Sequence, residues 1–511
     1  MGNSVVAAPA RPNLWQRLRP VLLSADAFCA LAAFFGALAI YLPTLSPSVV
    51  SADGGELQML TGILGISHPT GYPLLILLNR LFASLPLGGD LAHRVTLLGT
   101  LFTAGTVVAM YFMLREVGAR PVAALSGAWL VAAAPRLWMH AAAAEVYPLS
   151  EFLIILGLWL LIRWGNGRVP LWAPMLALGF GLSHHVSVRL LGPAVLVYLL
   201  VVEPRLPLAP RKWLPALVVL LLPLAFYVYL PLRFAYFSSL PEYSGEVLGI
   251  PKLIAGGFVN PHYYARGPIG MFLGTSYSGF FQGGIAIGAP AARGFLEMLR
   301  LQFPLLAAPV MLLGLAVLFR KHWCIGLLVV LSAGVTLLVA LRWLTIIGED
   351  GDHFIPVYML LAFCFGVGVE AIMAWVEQRL PGRKWVSWLL AVAVLALPLY
   401  SAVTTFPSML VAREDRKPNL LTPDIPSGAV IAGVWEYITP LRYQQRIENV
   451  RPDLWVLHAD AAGVTMLANR AIDAGVPFYQ VLSGPKGLQR LPIPLRDEAA
   501  IRNPAPADQQ K

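Results

Sequence analysis

The chain has 511 residues, 58% hydrophobic and 13% charged, with a mean hydropathy of +0.69. Soluble domains carry roughly 25% charged and roughly 45–50% apolar residues, so an ordinary soluble enzyme, a disordered protein and a disulfide-stapled secreted domain are excluded. Apolar runs near the ~20 residues needed to cross a bilayer core recur along most of the chain, which defines a polytopic membrane protein. The net charge of +10 therefore matters by placement, since Lys and Arg mark cytoplasmic loops, and no nucleic-acid partner is expected. Seven Lys against thirty Arg fits a GC-rich bacterial genome by association. Cys29, Cys324 and Cys364 all lie in apolar runs without metal spacing, so no disulfide framework is expected.

In chain order, a basic segment (Arg11, Arg17, Arg19) precedes the apolar run 26–44. That run is long for a signal-peptide core and lacks a small-residue cleavage site before Asp53, so it reads as an uncleaved first span with residues 1–25 cytoplasmic. Further spans are expected near 93–114, 121–138, 147–163, 170–184, 186–202, 213–232, 303–319, 323–341, 354–374 and 385–405, about eleven in all. The alternate loops then hold Arg115, Arg120, Arg163, Arg168, Arg205, Arg211, Lys212, Arg320, Lys321, Arg379, Arg383 and Lys384 inside. Outside they hold Asp53, Glu56, Asp90, Glu145, Glu151, Glu349, Asp350 and Asp352. This is the positive-inside pattern of a multi-pass cell-membrane protein with its C-terminus outside.

Two outer segments exceed mere connectors, 45–92 and 233–302. Within the first, the half-apolar stretch 70–87 is expected to be a helix in the interface or re-entering it. Residues 26–411 thus form a transmembrane domain. From 412 to 511 the composition is that of a small extracytoplasmic α/β domain. Strands are expected at Ala429–Gly433 and Asp453–His458, helices at 435–448 and 460–474, and a disordered Pro/Ala/Gln tail at the end. There is no internal repeat.

The first loop carries the densest chemistry: Ser51-Ala52-Asp53-Gly54-Gly55-Glu56, then Ser67-His68-Pro69-Thr70-Gly71-Tyr72-Pro73. A helix opening at Glu56 sets Asp53 near its N-cap, with both carboxylates on one face. Two adjacent carboxylates repel, which raises one pKa toward general-base territory. The competing reading is a capping box, with Asp53 as cap and Glu56 completing it. In the hexapeptide from His68, two prolines and Gly71 make a rigid turn that would hold His68 and Tyr72 against a ligand. An interfacial Tyr in a simple connecting turn is the alternative.

These residues resemble the glycosyltransferase C superfamily. The likeness rests on the Asp53–Glu56 pair, the His-Pro-x-Gly-Tyr-Pro-Leu stretch and Ala92-His93-Arg94-Val95. Protein O-mannosyltransferases and the aminoarabinose transferases of lipid A carry related arrangements. The likeness is nearest to the family that includes the eukaryotic O-mannosyltransferase of plexin-type receptors. It extends through Tyr229-Leu230-Pro231-Leu232-Arg233, Asp350-Gly351-Asp352-His353-Phe354-Ile355-Pro356, Arg442-Tyr443-Gln444-Gln445 and Arg451-Pro452-Asp453, over residues 25–460. Thr70 replaces a proline frequent in the family and Thr96 an asparagine, departures that bear on the sugar and the acceptor.

The resemblance implies an all-α polytopic glycosyltransferase. It would move a sugar, by analogy mannose, from a polyprenyl-phosphate carrier to an acceptor hydroxyl on the outer side, with inversion. The acceptor would be Ser/Thr of an exported protein, or alternatively a glycan or lipid. Asp53 is the expected base, with Glu56 orienting it or second to it. His68, Arg94 and Arg233 are candidates for the phosphate, and Tyr72 is a further candidate for binding the donor's phosphate or sugar. Glu145, His184 and His185 are further candidates for the donor site, against readings as an interfacial anchor and a solvated hairpin. No cofactor is required, although Asp350 and Asp352, at i and i+2, could take a divalent cation. His262-Tyr263-Tyr264 and Tyr277-Ser278-Gly279-Phe280 offer aromatic faces to a sugar or peptide. The rival classes are a secondary transporter or flippase, disfavoured by the missing repeat, and a non-catalytic scaffold.

Overall fold

The computed structural model of the chain describes residues 24–275, 289–347, 351–482 and 488–490. Residues 1–23, Tyr277–Phe280, Asp350 and the tail beyond 490 lie outside the described residues. Among the described residues, seven helices are long and apolar enough to span a membrane: Ala25–Thr44, Leu91–Glu116, Tyr147–Gly165, Pro210–Ser238, Trp323–Trp343, Asp352–Arg379 and Trp388–Ala412.

Two more expected spans are bent pairs, Pro121–Ala132 with Pro135–Ala142 at 66°, and Ala289–Gln302 with Ala307–Lys321 at 101°. A proline sits in or beside each break, Pro135 and Pro304, where its missing N–H and fixed φ interrupt a helix. The spans expected at 170–184 and 186–202 are shorter helices, Trp172–Leu182 and Val186–Val202, parted around His184 and His185. All eleven expected apolar segments are therefore helical, but among the described residues only seven to nine are full spans. Hydropathy measures apolar length and is blind to a bend.

Arg115 pairs with Asp26 at 2.6 Å, Arg120 with Glu370 at 2.9 Å and Glu377 at 2.7 Å, and Arg163 and Arg168 with Glu116 at 3.2 and 3.1 Å. Cations that the sequence places on one side of the bilayer thus tie neighbouring helix ends together. Deeper in the bundle, small residues set the approach. A Cβ on Gly314 would lie 1.8 Å from the Cys364 carbonyl oxygen, and one on Gly368 2.1 Å from that of Val310. Helices in lipid associate through this kind of close backbone packing, since lipid tails are as apolar as the side chains.

The C-terminal region folds around a sheet of order β4-β3-β5-β6, with β3 at Val430–Gly433, β4 at Trp455–His458, β5 at Phe478–Val481 and β6 at Leu488–Arg490. β4, β3 and β5 run parallel, with Val430 opposite both Trp455 and Phe478, and β6 is antiparallel to β5. β3 is buried throughout because both its faces are covered. Val430 and Ala432 pack with Val464, Leu467 and Ala468 of the helix Ala461–Asp473, while Ile431 packs with Ile438 and Leu441 of the helix Trp435–Ile447. This alternation is the two-residue period of a strand. The expected strands and helices are present within a residue or two, while β5 and β6 were not foreseen. The second outer loop adds a hairpin, β1 (Glu246–Val247) and β2 (Ile250–Pro251), and its Ala255 is buried in the same apolar cluster as the sheet.

The helix Trp435–Ile447 lies along the first-loop helix Ala52–Ile63. Glycine permits this. A Cβ on Gly55 would stand 2.5 Å from the Val50 carbonyl oxygen and 2.8 Å from Thr439 Oγ1. Tyr443 Oη accepts the Ala92 N–H at 3.2 Å, and both the N–H and hydroxyl of Ser51 donate to Glu414 at 2.8–2.9 Å. In a free helix Gly→Ala gains about 0.5–1 kcal/mol. Here the overpacking term of about 1–3 kcal/mol wins. Gly55→Ala is therefore expected to lower the thermal midpoint in detergent and to speed proteolysis near residues 413–428, whereas an equal or higher midpoint would show that the two helices do not touch.

Candidate active site

The first-loop helix starts at Ala52, so Asp53 lies in its first turn and Glu56 one turn further on the same face. The capping-box alternative is overturned: Ser51 is the N-cap, and its hydroxyl is turned to Glu414. A carboxylate at that place complements the positive end of the helix. Buried Gln58 anchors the helix, accepting the Val50 N–H at 3.1 Å and donating to Thr96 Oγ1 at 3.2 Å and the Ala92 carbonyl at 3.3 Å. At the far end Leu64 turns left-handed at φ 54°, and Arg233 donates to the carbonyls of Leu64 at 2.7 Å and Ile63 at 3.0 Å. The returning strand is held by a bridge between Ile66 and Val259, which brings Ser67 and His68 back beside the carboxylates.

His68 stands between the two acids. Its Nδ1 is 2.5 Å from Glu56 Oε2, and its Nε2 is 3.7 Å from Asp53 Oδ2. Ser67 Oγ also donates to Glu56 Oε2 at 2.9 Å. Burial pushes the imidazole down, but the charges of Asp53 and Glu56 and the bond to Glu56 outweigh it and hold its pKa up at about 9. At neutral pH the ring is therefore an imidazolium. Glu56 is buried, whereas the Asp53 side chain is 46% exposed. Asp53 Oδ1 accepts the indole N–H of Trp435 at 2.7 Å, which leaves Oδ2 toward His68. Ligand atoms of Asp53, Glu56 and His68 lie within 4.8 Å of one another and could also gather a divalent cation. They line a cleft of about 320 Å³ that the second loop (Ile254, Asn260, His262) and the C-terminal domain (Trp435, Arg442, His458) complete.

The other expected residues divide. Tyr72 is buried and edge-on to His68 at 5.1 Å, stacked on His185 at 6.0 Å, with its hydroxyl on the Pro69 carbonyl at 3.0 Å. His184 and His185 are buried rather than in a solvated hairpin. His184 Nε2 bonds the Val146 carbonyl at 2.8 Å, and His185 Nδ1 bonds Ser187 Oγ at 2.8 Å. They wall Tyr72 from behind and do not line the cleft. Glu145 feels both His68 and a second cluster, and burial first, then the charges of Asp53 and Asp352 against His140, pushes its carboxyl up to about 8.

Two phosphate candidates lie outside the residues lining the cleft. Arg94 donates to the Leu85 carbonyl at 3.0 Å, and Arg233 caps the first-loop helix and stacks on Tyr236 and Phe237 at 4.4 and 4.7 Å. Asp352 pairs with Arg136 at 2.8 Å and His140 at 3.0 Å, while Asp350, its expected partner for a divalent cation, lies outside the described residues.

His140 was not a candidate from sequence; its Nδ1 also meets Glu151 at 3.2 Å beneath a stacked Tyr147 ring at 4.5 Å. A His and a Glu inside apolar runs were the available signal. Trp435 and Arg442, neither of them a site candidate from sequence, also line the cleft, as does His262, which was expected to offer its face to a sugar or peptide. Burial pushes the Arg442 guanidinium down to about 10, with Arg446 adding to that and Glu56 opposing it.

Comparison with known proteins places this geometry in a family context. Residues 53–206 match the family described as Protein O-mannosyl-transferase TMEM260 N-terminal domain. The mouse Protein O-mannosyl-transferase TMEM260 is 31% identical over 134 residues, 26% of this chain and 19% of that protein. The Dictyostelium discoideum protein of the same name is 25% identical over 149 residues, 27% of this chain and 18% of that protein. The match thus spans about a fifth of the curated relatives' own length. Both are eukaryotic, against the bacterial source expected from the Arg bias, which reflects base composition and imposes no physical constraint. The crystal structure of ArnT from Cupriavidus metallidurans bound to undecaprenyl phosphate superposes with a TM-score of 0.50 at 14% identity, covering 90% of this chain and 94% of that one, a likeness of fold. The chain is therefore a multi-pass membrane protein of the glycosyltransferase C fold, related through residues 53–206 to the TMEM260 protein O-mannosyl-transferases.

Proposed function

We propose that the protein transfers a sugar, mannose by its likeness to the O-mannosyl-transferases, from a polyprenyl-phosphate carrier to a Ser/Thr hydroxyl of an exported protein on the outer face of the membrane. The observation that carries this reading is Asp53, a half-exposed carboxylate at the cleft, held on one oxygen by Trp435 and faced on the other by an imidazolium. The names of the sequence relatives and the undecaprenyl phosphate of the ArnT structure support the class of donor and acceptor.

In this reading the acceptor hydroxyl oxygen attacks the anomeric carbon while its proton passes to Asp53. The bond from that carbon to the phosphate oxygen breaks, its electron pair stays with the phosphate, and the carrier leaves as polyprenyl phosphate. A single displacement of this kind inverts the anomeric centre. His68 is cationic at neutral pH, so it is not the base. It supplies positive charge between two acids in a partly desolvated site. Glu56 fixes the ring through Nδ1 and so turns Nε2 toward Asp53. With His68 in that role no metal is needed, since a divalent ion on the same three residues would have to displace the His68 proton.

Transfer from radiolabelled polyprenyl-phosphate-mannose in liposomes tests the reading. Asp53→Asn, still folded and still binding carrier, should lose roughly 10²–10⁴ of the rate, the usual worth of a positioned base. EDTA should leave the wild-type rate unchanged. No transfer from any polyprenyl-linked sugar, with Asp53→Asn behaving as wild type, would return the protein to the transporter reading. Raising the pH through about 9 removes the His68 charge, so the wild-type rate should fall across that range. His68→Gln should be slower at neutral pH and show no such alkaline limb, and a limb that persists in it belongs to another group.

A further inference from the structure

The step above leaves the departing phosphate without a guanidinium partner, because Arg94 and Arg233 do not line the cleft. Among the described residues lining that cleft, the sole Lys or Arg is Arg442, on the helix Trp435–Ile447. It is 7% exposed. Its Nε donates to the Val456 carbonyl at 2.9 Å, and its Nη2 reaches the carbonyls of Ile254 and Ala255 at 3.4 Å each. No carboxylate forms an ion pair with it among the described residues, and Nη1 has no protein acceptor there. A buried cation held only by carbonyl dipoles is costly unless an anion completes it.

The opposite wall is shaped around the same side chain. Gly257, at φ +75°, would carry a Cβ 2.9 Å from Arg442 Cδ. His458, at the carboxyl end of β4, lines the cleft beside it, and ligands of parallel α/β sheets bind outside the carboxyl ends of the strands. Arg446, one turn on, is occupied by the face of Phe258 at 4.7 Å and the Gly256 carbonyl at 3.3 Å. Arg189 lines a different, apolar cavity and stacks on Phe272 at 4.1 Å.

We propose that Arg442 binds the phosphate of the polyprenyl-phosphate carrier, so that the C-terminal domain supplies the anion site of the donor. This rests on the transfer reading above, and it gives the domain a direct part in binding rather than that of a cover. The base on the first loop and the phosphate cation on the C-terminal helix then line one cleft.

The test uses the full chain in detergent and compares affinity for undecaprenyl phosphate with that for undecaprenol, which has the tail and no phosphate. Arg442→Gln should lower the preference for the phosphorylated lipid roughly ten- to a hundredfold, the usual worth of hydrogen bonds to a charged group, and leave undecaprenol binding unchanged. Arg442→Lys keeps the charge and a donor for the Val456 carbonyl, so it remains informative where the Gln variant does not fold. Lacking the planar fork, it should lower the preference roughly two- to tenfold. Arg189→Gln should not change it. An unchanged preference in whichever Arg442 variant folds overturns the assignment, as does a loss in Arg189→Gln alone or an equal loss for both lipids. A wild type that prefers the phosphorylated lipid through Arg442 but transfers no sugar removes the reaction and leaves the anion site. Transfer with an unchanged preference does the reverse.

Discussion

The contact on which the site depends is between two helices far apart in the chain. Trp435 and Asp53, 382 residues apart, share a 2.7 Å hydrogen bond, and Gly55 gives Thr439 room to sit against the first-loop helix. Without that contact the first loop would present two acids and an imidazole to open water, where charges at these distances interact weakly. With it, Glu56 is buried, Asp53 keeps one oxygen toward His68, and a cleft forms whose walls come from three segments. Three further ties hold the same joint: Tyr443 to Ala92, Ser51 to Glu414, and the Lys417 N–H to the Val49 carbonyl at 3.2 Å.

The charges follow one pattern at two places. His68 lies between Glu56 and Asp53, and His140 lies between Glu151 and Asp352, with Glu145 within reach of both clusters. Near or within a bilayer an isolated ion is expensive, and an imidazole between two acids is a way to keep several ionisable groups in a small volume. The second cluster also joins the bend after Pro135 to the start of the span at Asp352, since Arg136 and His140 both reach that carboxylate. The two clusters differ in access: Asp53 opens to the cleft, whereas His140 and Glu151 are buried.

Much of this was legible in the residues alone. Apolar length and the alternation of basic and acidic loops located all eleven helical segments, because lipid selects for composition over ~20-residue windows and composition is local. The short strands Val430–Gly433 and Trp455–His458 and their helices were legible for the same reason, as each displays its own period. So was the first-loop cluster. Asp53 and Glu56 share a helix face by spacing, and the prolines and glycine after His68 announced a fixed turn. The bends at 66° and 101° were not legible, since a window average has no direction.

What only the tertiary structure decided is which cation meets which anion. Arg94, Arg233 and Asp352 have the right chemistry and the right neighbours in sequence, yet each is turned to another partner: the Leu85 carbonyl, the end of the first-loop helix, and the Arg136–His140 pair. Trp435 and Arg442 lie in one amphipathic helix, and although Arg442 belongs to a stretch that carries the family resemblance, neither spacing nor period shows Trp435 as a donor to Asp53 or Arg442 as a cleft residue. Periodicity and spacing report only how a residue stands relative to its neighbours along the chain. Hydrogen bonds and ion pairs are satisfied by whatever the fold brings within about 3 Å, and here the deciding partners come from the opposite end of the chain.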